Sequence, residues 1–373
     1  MSNKISVYLL LTLALVLGIT LVACQPAAEE PAAEEPAAEE PTEEAATEEP
    51  TEEPAAEEPA EEAATEEPTE EPAAEESYLI GVSAQLVAHD WSIKGWEGIQ
   101  EKAAELGVEV VQLSAGQDPD KQLADIESLI EQGADGIIIL LAETGVLDQA
   151  IQKTTEAGIP VVFMDGGYQA DGVIQNISSD NCQFGQDAAE YIVQQKGEDA
   201  QVILQTYPVL EATNQRTICA MEYWDENYPD VTILEEQPIL GPEWTADAQA
   251  HAEQMITKYG EEIDAFGVCS DLFAIGSSAA VDTAGLSDQI MVTGVDGLEQ
   301  IIEKIADPNS SMSLTFLQDS AEMGRVAVQS LVTYLDAGCS VPMSAECEGV
   351  VEPVVFVPGI MITKENANEY ISE

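Results

Sequence analysis

Along residues 77–373, short apolar runs alternate with helical patterns at a spacing of roughly 25 to 30 residues, the strand–helix rhythm of a parallel sheet. Strands are predicted over 78–82, 108–113, 136–141, 159–164 and 172–177. The runs 136–141 and 159–164 are almost wholly apolar, as expected of strands covered on both faces by helices. Between the first two strands, Trp96, Ile99, Ala103 and Leu106 fall on one helical face. Asp118-Pro119 opens the next helix, with proline where its missing N–H does no harm, and Leu123, Ile126 and Ile130 form its inner side. The pattern then restarts with strands at 201–206, 231–235, 265–269 and 290–295, and helices near 183–196, 211–226, 245–259 and 273–284. A strand at 312–317, a helix near 320–337 and a last strand near 354–357 follow. Two successive βα sets predict an α/β chain with two doubly wound, Rossmann-like lobes. The extra elements imply that the chain recrosses between them.

The first 76 residues break this rhythm. Lys4 precedes an apolar stretch over 7–22, which runs into Leu21-Val22-Ala23-Cys24. This is the form of an export signal, and the last four residues resemble the bacterial lipobox, which implies lipid attachment at Cys24. The other readings are a signal cut elsewhere and a plain N-terminal anchor. Residues 25–76 repeat Glu-Glu-Pro-Ala-Ala and Thr-Glu-Glu-Pro units, with 22 Glu and no Lys or Arg. With no large apolar side chain to bury, this tract is expected to be disordered. Its prolines and like charges make it an extended spacer.

The net charge of −61 comes from 72 acidic and 11 basic residues. Such a surface excludes nucleic acid as a partner. There are two arginines, Arg216 and Arg325, and two histidines, His89 and His251. No phosphate loop, zinc-binding His pair, Cys-x-x-Cys or nucleophile elbow is present, so neither an enzyme, a cofactor nor a metal is expected. Of six cysteines, Cys339 and Cys347 share a loop and are a disulfide candidate in an exported chain. Cys182, Cys219 and Cys269 read as isolated apolar fillers.

Open parallel sheets bind ligands beyond the carboxyl ends of their strands. Polar or aromatic residues follow nearly every predicted strand: His89-Asp90-Trp91, Asp165, the loop reaching Asn214 and Arg216, Trp244, Ser270-Asp271, Asp296 and Gln318. Any one of these Asp or Ser residues is as well read as a helix cap; together, on two lobes, they describe a site.

With Ile137-Ile138-Ile139, Gly158-Ile159-Pro160-Val161-Val162, Ser179-Asp180-Asn181 and Gly294-Val295-Asp296-Gly297, residues 78–360 resemble the ribose- and galactose-type periplasmic binding proteins of ABC transporters. The resemblance implies a type I fold of two lobes, three hinge crossings and a cleft. The lobes are placed at 78–179 with 319–351, and at 180–318 with 352–373. It implies that His89, Asp90, Trp91, Asp165, Asn214, Trp244, Ser270, Asp271, Asp296 and Gln318 contact a ligand, with Arg216 either reaching the cleft or making a structural salt bridge. Gly166 and Asn214 stand where the family usually has arginine.

Indole faces with carboxylates and amides suit a sugar or polyol. The same set would accept a cationic or nucleoside-like solute. The expected partners are an ABC permease and ATPase, or alternatively a membrane sensor to which the ligand is presented. The chain is expected to be an extracytoplasmic monomer held to the membrane by its lipid.

Overall fold

The computed structural model describes residues 77–166, 170 and 172–371. The export signal, Cys24 and the 25–76 tract lie outside the described residues. Among the latter, no helix is long and apolar enough to cross a membrane.

The chain begins with β1 (Leu79–Ala84), α1 (Asp90–Leu106), β2 (Glu109–Ser114), α2 (Pro119–Glu131), β3 (Gly136–Leu140), α3 (Thr144–Ala157), β4 (Val161–Met164) and β5 (Val173–Ser178). The second set is α4 (Asn181–Lys196), β6 (Gln201–Thr206), α5 (Glu211–Asn227), β7 (Thr232–Pro238), α6 (Trp244–Tyr259), β8 (Ala265–Val268), α7 (Asp271–Ala284), β9 (Met291–Thr293), α8 (Glu299–Ala306) and β10 (Met312–Leu317). Then come α9 (Ser320–Asp336), β11 (Val354–Phe356) and β12 (Ile360–Thr363).

The strands form two six-stranded sheets, ordered β11-β5-β4-β3-β1-β2 and β12-β10-β9-β8-β6-β7. Pairing is parallel except for β10 with β12. The α/β class read from the sequence therefore holds. The chain passes between the sheets three times, after β5, after β10 and after β11.

Central strands are apolar because both their faces are covered. All of β3 and β4 is buried, whereas the edge strand β7 (TILEEQP) exposes its threonine and second glutamate. Asp118 caps α2 by accepting from the Asp120 and Lys121 N–H groups, with Pro119 at the first helical position.

Helix α9 returns to the first lobe and packs on α1 backbone to backbone. A Cβ on Gly98 would lie 1.9 Å from the Ala321 carbonyl oxygen, so any larger residue there would force the helices apart.

Two expectations are corrected. Residues 352–373 do not all join the second lobe. Val354–Phe356 pairs with Asn176, Ile177 and Ser178 at the edge of the first sheet, and only Ile360–Thr363 extends the second. A four-residue apolar run between Pro353 and Pro358 carries no periodicity that would choose its sheet. Cys182 and Cys219 are not isolated: they form a disulfide between α4 and α5. Nothing in a separation of 37 residues shows that these two helices lie side by side. Cys339 and Cys347 are also bonded, and Cys269 is free and buried.

Candidate functional site

The carboxyl ends of both sheets face one cleft, which holds about 610 Å³ of empty space, part of it open to solvent. A concave cleft between two lobes is a common place for a small-molecule site. Near it the lobes touch directly. Thr144 N–H donates to the Val209 carbonyl at 3.2 Å, and Leu141 packs on the cores of both lobes. Leu141 has φ of 56° and is held there by its own N–H to the Met164 carbonyl and by Gln122 Nε2 donating to its carbonyl.

The centre of the site is Arg216, on the first turns of α5 and only 5% exposed. Its Nε donates to Asn181 Oδ1 at 2.7 Å, and its Nη1 to the Cys269 carbonyl at 2.7 Å. Nη2 donates to Gln318 Oε1 at 3.3 Å. The guanidinium also lies 3.7 Å from Asp165 Oδ2 and 3.5 Å from Asp296 Oδ1. A cation from the second lobe thus stands between a carboxylate of each lobe. Its helix is held close to α4: a Cβ on Gly185 would lie 2.1 Å from the Arg216 carbonyl oxygen. The Cys182–Cys219 bond joins the same two helices one residue from Asn181 and three from Arg216.

Asp165 and Asp296 occupy matching places after β4 and β9, and both have positive φ, 58° and 135°. Non-glycine residues held in such backbone conformations cluster at functional sites. Asp165 Oδ1 accepts from Asn181 Nδ2 at 3.0 Å. Burial raises its pKa above the usual carboxylate range; Arg216 and Asn181 pull it down, and the Asp296 charge adds to the rise. Asp296 Oδ2 accepts from Ser270 Oγ at 2.8 Å and from the Asp271 N–H.

Around this charged centre lie the other lining groups. The second lobe supplies an edge-to-face cluster of Tyr207, Trp244 and Phe273, with ring centroids 5.5 to 6.4 Å apart. Burial pushes the Tyr207 phenol up to about 12, so it remains a hydrogen-bond donor at neutral pH. The first lobe supplies Gln85, His89, Trp91 and Ser92. His89 Nε2, Trp91 Nε1 and Ser92 Oγ are buried atoms with no protein hydrogen-bond partner. Buried polar atoms of this kind call for a partner. Burial also pushes the Cys269 thiol up to about 12, which keeps it protonated and unreactive.

Of the residues read from sequence, His89, Trp91, Asp165, Arg216, Trp244, Ser270 and Asp296 line the cleft. Four others do not. Asp90 is exposed at the start of α1, where its charge suits the helix N-terminus. Asn214, two residues before Arg216, lies on another side of α5 and is not among the lining residues.

Asp271 is fully buried, accepting from the Gly297 and Leu298 N–H groups and from the Thr315 hydroxyl. It braces the turn that carries Asp296, and burial raises its pKa, with the Asp296 charge adding to the effect. Gln318 stands behind Arg216 as its hydrogen-bond partner. The sequence reading missed Gln85, Ser92, Leu141, Tyr207 and Phe273. Gln85, Leu141 and Tyr207 each directly follow an observed strand; the strand-end rule finds Tyr207, while strand bounds of 78–82 and 136–141 hid the other two.

Among the described residues, no group of three or more His, Cys, Asp or Glu side chains is arranged to hold a metal ion.

Residues 80–338 match the family described as periplasmic binding protein domain. The ribose import binding protein of Bacillus subtilis is 25% identical over 254 residues, 68% of this chain and 80% of that protein. Among solved structures, an ABC sugar transporter subunit from Rhodobacter sphaeroides is 29% identical with a TM-score of 0.70, covering 78% of this chain and 99% of that one. An ABC transporter solute binding protein from Agrobacterium vitis, with bound allitol, is 26% identical with a TM-score of 0.72, covering 79% and 98%. These three are transport proteins and not enzymes.

Proposed function

We propose, for a chain that belongs to the periplasmic binding protein family, that it captures a monosaccharide or related polyol between its lobes and delivers it to an ABC importer. The chain is an extracytoplasmic solute-binding protein and not an enzyme. The observation that carries the ligand class is Arg216, buried between Asp165 of one lobe and Asp296 of the other. Two carboxylates and one guanidinium offer charged acceptors and donors to hydroxyl groups, and these are stronger than neutral ones. Trp91 and Trp244 line the same cleft and supply indole faces for the C–H side of a sugar ring.

Closure follows from this placement. A ligand that bonds to both lobes binds the closed form better and shifts the population toward it. The closed form then docks on the permease, each lobe giving part of the surface. Lipid on Cys24 would hold the chain at the membrane, with residues 25–76 as spacer; the four residues ending at Cys24 and the Glu-Pro composition support this reading.

Thermal-shift measurements of the full chain against sugars, polyols, amines and nucleosides test the reading, because binding to the folded state raises the melting temperature. A polyol should raise it, and Asp165→Ala and Trp244→Ala should each abolish the shift. Unchanged affinity in both variants would remove the cleft assignment. A response confined to amines would replace the polyol by a cation.

A further inference from the structure

Arg216 ties the charged end of the cleft together and still leaves that end short of positive charge. A guanidinium has five N–H donors. Four of them go to protein oxygens, on Asn181, Cys269, Asp296 and Gln318. The last is on Nη2, which lies 3.7 Å from Asp165 Oδ2.

The carboxylates are less well matched. Asp165 Oδ1 accepts from Asn181 Nδ2 at 3.0 Å, but Oδ2 accepts no hydrogen bond among the described residues. Asp296 Oδ2 accepts from Ser270 Oγ and the Asp271 N–H, whereas Oδ1 has only the long 3.5 Å bond from Arg216 among the described residues. Both side chains are at least nine-tenths buried. Two buried carboxylates thus share one guanidinium, and each keeps an oxygen with lone pairs to offer. Burial raises the Asp165 pKa and the Asp296 charge adds to the rise, as expected of a carboxylate short of countercharge. Among the other lining residues only His89 can carry a positive charge. It follows β1, which stands two strands from β4 in the first sheet, about 10 Å at the usual spacing.

The first lobe's neutral groups make a different demand. The Gln85 amide, the Trp91 indole N–H and the Ser92 hydroxyl are each at least nine-tenths buried and have no protein partner, and His89 Nε2 has none either. Neutral donors and acceptors of this kind suit hydroxyl groups. One ligand answers both demands if it carries hydroxyls over most of its length and a cation at one end. A buried carboxylate gains more from a charged donor than from a hydroxyl. The field of a chain with a net charge of −61 also draws cations toward it.

We infer that the cleft is built for a polyol bearing a protonated amine, the chemistry of amino sugars and aminated alditols, with the ammonium group drawn to the Asp165 and Asp296 carboxylates. The inference rests on the solute-binding reading proposed above and narrows it.

Titration calorimetry of the full chain with matched pairs tests it: glucose with glucosamine, galactose with galactosamine, and sorbitol with glucamine, alongside putrescine as an amine without hydroxyls. In the pair that holds the tightest ligand, the amine should bind roughly tenfold tighter than its parent, because charge-assisted hydrogen bonds are about twice as strong as neutral ones. An amine that binds no better than its parent in that pair would overturn the inference while leaving the solute-binding reading in place. Putrescine as the tightest ligand of all would overturn the polyol together with the inference, and binding of none would overturn the whole reading. Asp165→Asn keeps the side chain's shape and removes its charge. In that variant the ratio of amine to parent affinity should fall toward one; an equal loss for both members of the pair would count against a charge-selecting role.

Discussion

The two lobes have the same strand order about the first five strands and meet the cleft in different ways. In the second lobe the cleft residues are built into the fold. Arg216 bonds to Asn181, the Cys269 carbonyl and Gln318, and Asp296 is tied to Ser270 and to the Asp271 backbone. In the first lobe Trp91, Ser92 and His89 offer polar atoms that nothing in the protein satisfies. Groups that brace a structure cannot be exchanged without loss of stability, whereas groups that only await a ligand can. The second lobe therefore supplies most of a fixed charged platform, completed by Asp165 of the first, and the first lobe adds polar atoms that brace nothing in the protein.

The sharpest way to break this contrast is Arg216→Ala. It strands two buried carboxylates and three hydrogen-bond partners, and removing one member of a buried charge network costs about 3–5 kcal/mol. Urea denaturation should show that loss, together with loss of ligand-induced stabilisation. A stability change below about 1 kcal/mol would show that the platform is not structural.

The disulfides come next. The chain-entropy relation gives roughly 4 kcal/mol for a loop of 37 residues and roughly 2.5 kcal/mol for one of 8. Paired Cys→Ser replacement should cost more at Cys182–Cys219 than at Cys339–Cys347, and only the former should weaken ligand binding, since it joins the helices that carry Asn181 and Arg216. Equal effects of the two on affinity would separate the bond from the site.

The smallest change in stability is expected in the first lobe. Ser92→Ala removes a hydroxyl with no protein partner, so the melting temperature without ligand should hardly move. Ligand affinity should fall roughly fivefold to tenfold, the worth of one hydrogen bond of about 1 kcal/mol. A destabilised apo protein with intact affinity would place Ser92 in the fold and not in the site.

Much of this architecture is legible in the chain. Runs such as Gly136–Leu140 and Val161–Met164 are apolar throughout, and only a strand covered on both faces needs that pattern. The strand-end rule finds Asp165 and Asp296 but does not separate Asp296 from Asp271. Both are acidic residues after an apolar strand. One sits at positive φ facing the cleft, and the other turns inward to hold two backbone N–H groups. That choice depends on Thr315, which arrives 44 residues after Asp271 and on another strand. The absence of an arginine beside Asp165 was also readable, but not its remedy. Arg216 reaches Asp165 from the other lobe, a partnership that only the tertiary fold creates. The Cys182–Cys219 bond is hidden for the same reason.

The third passage of the chain between the sheets sets a limit on movement. Phe356 ends a strand of one sheet and Ile360 begins a strand of the other, with Val357, Pro358 and Gly359 between them. Four Cα steps reach about 14 Å when fully drawn out. A Cβ on Gly359 would lie 2.4 Å from the Phe184 ring, so the link is also wedged against the second lobe. Two bodies joined by so short a strap cannot slide apart along it. They can only swing, as a door does on its pin, and the mouth of the cleft, on the far side from the pin, travels farthest.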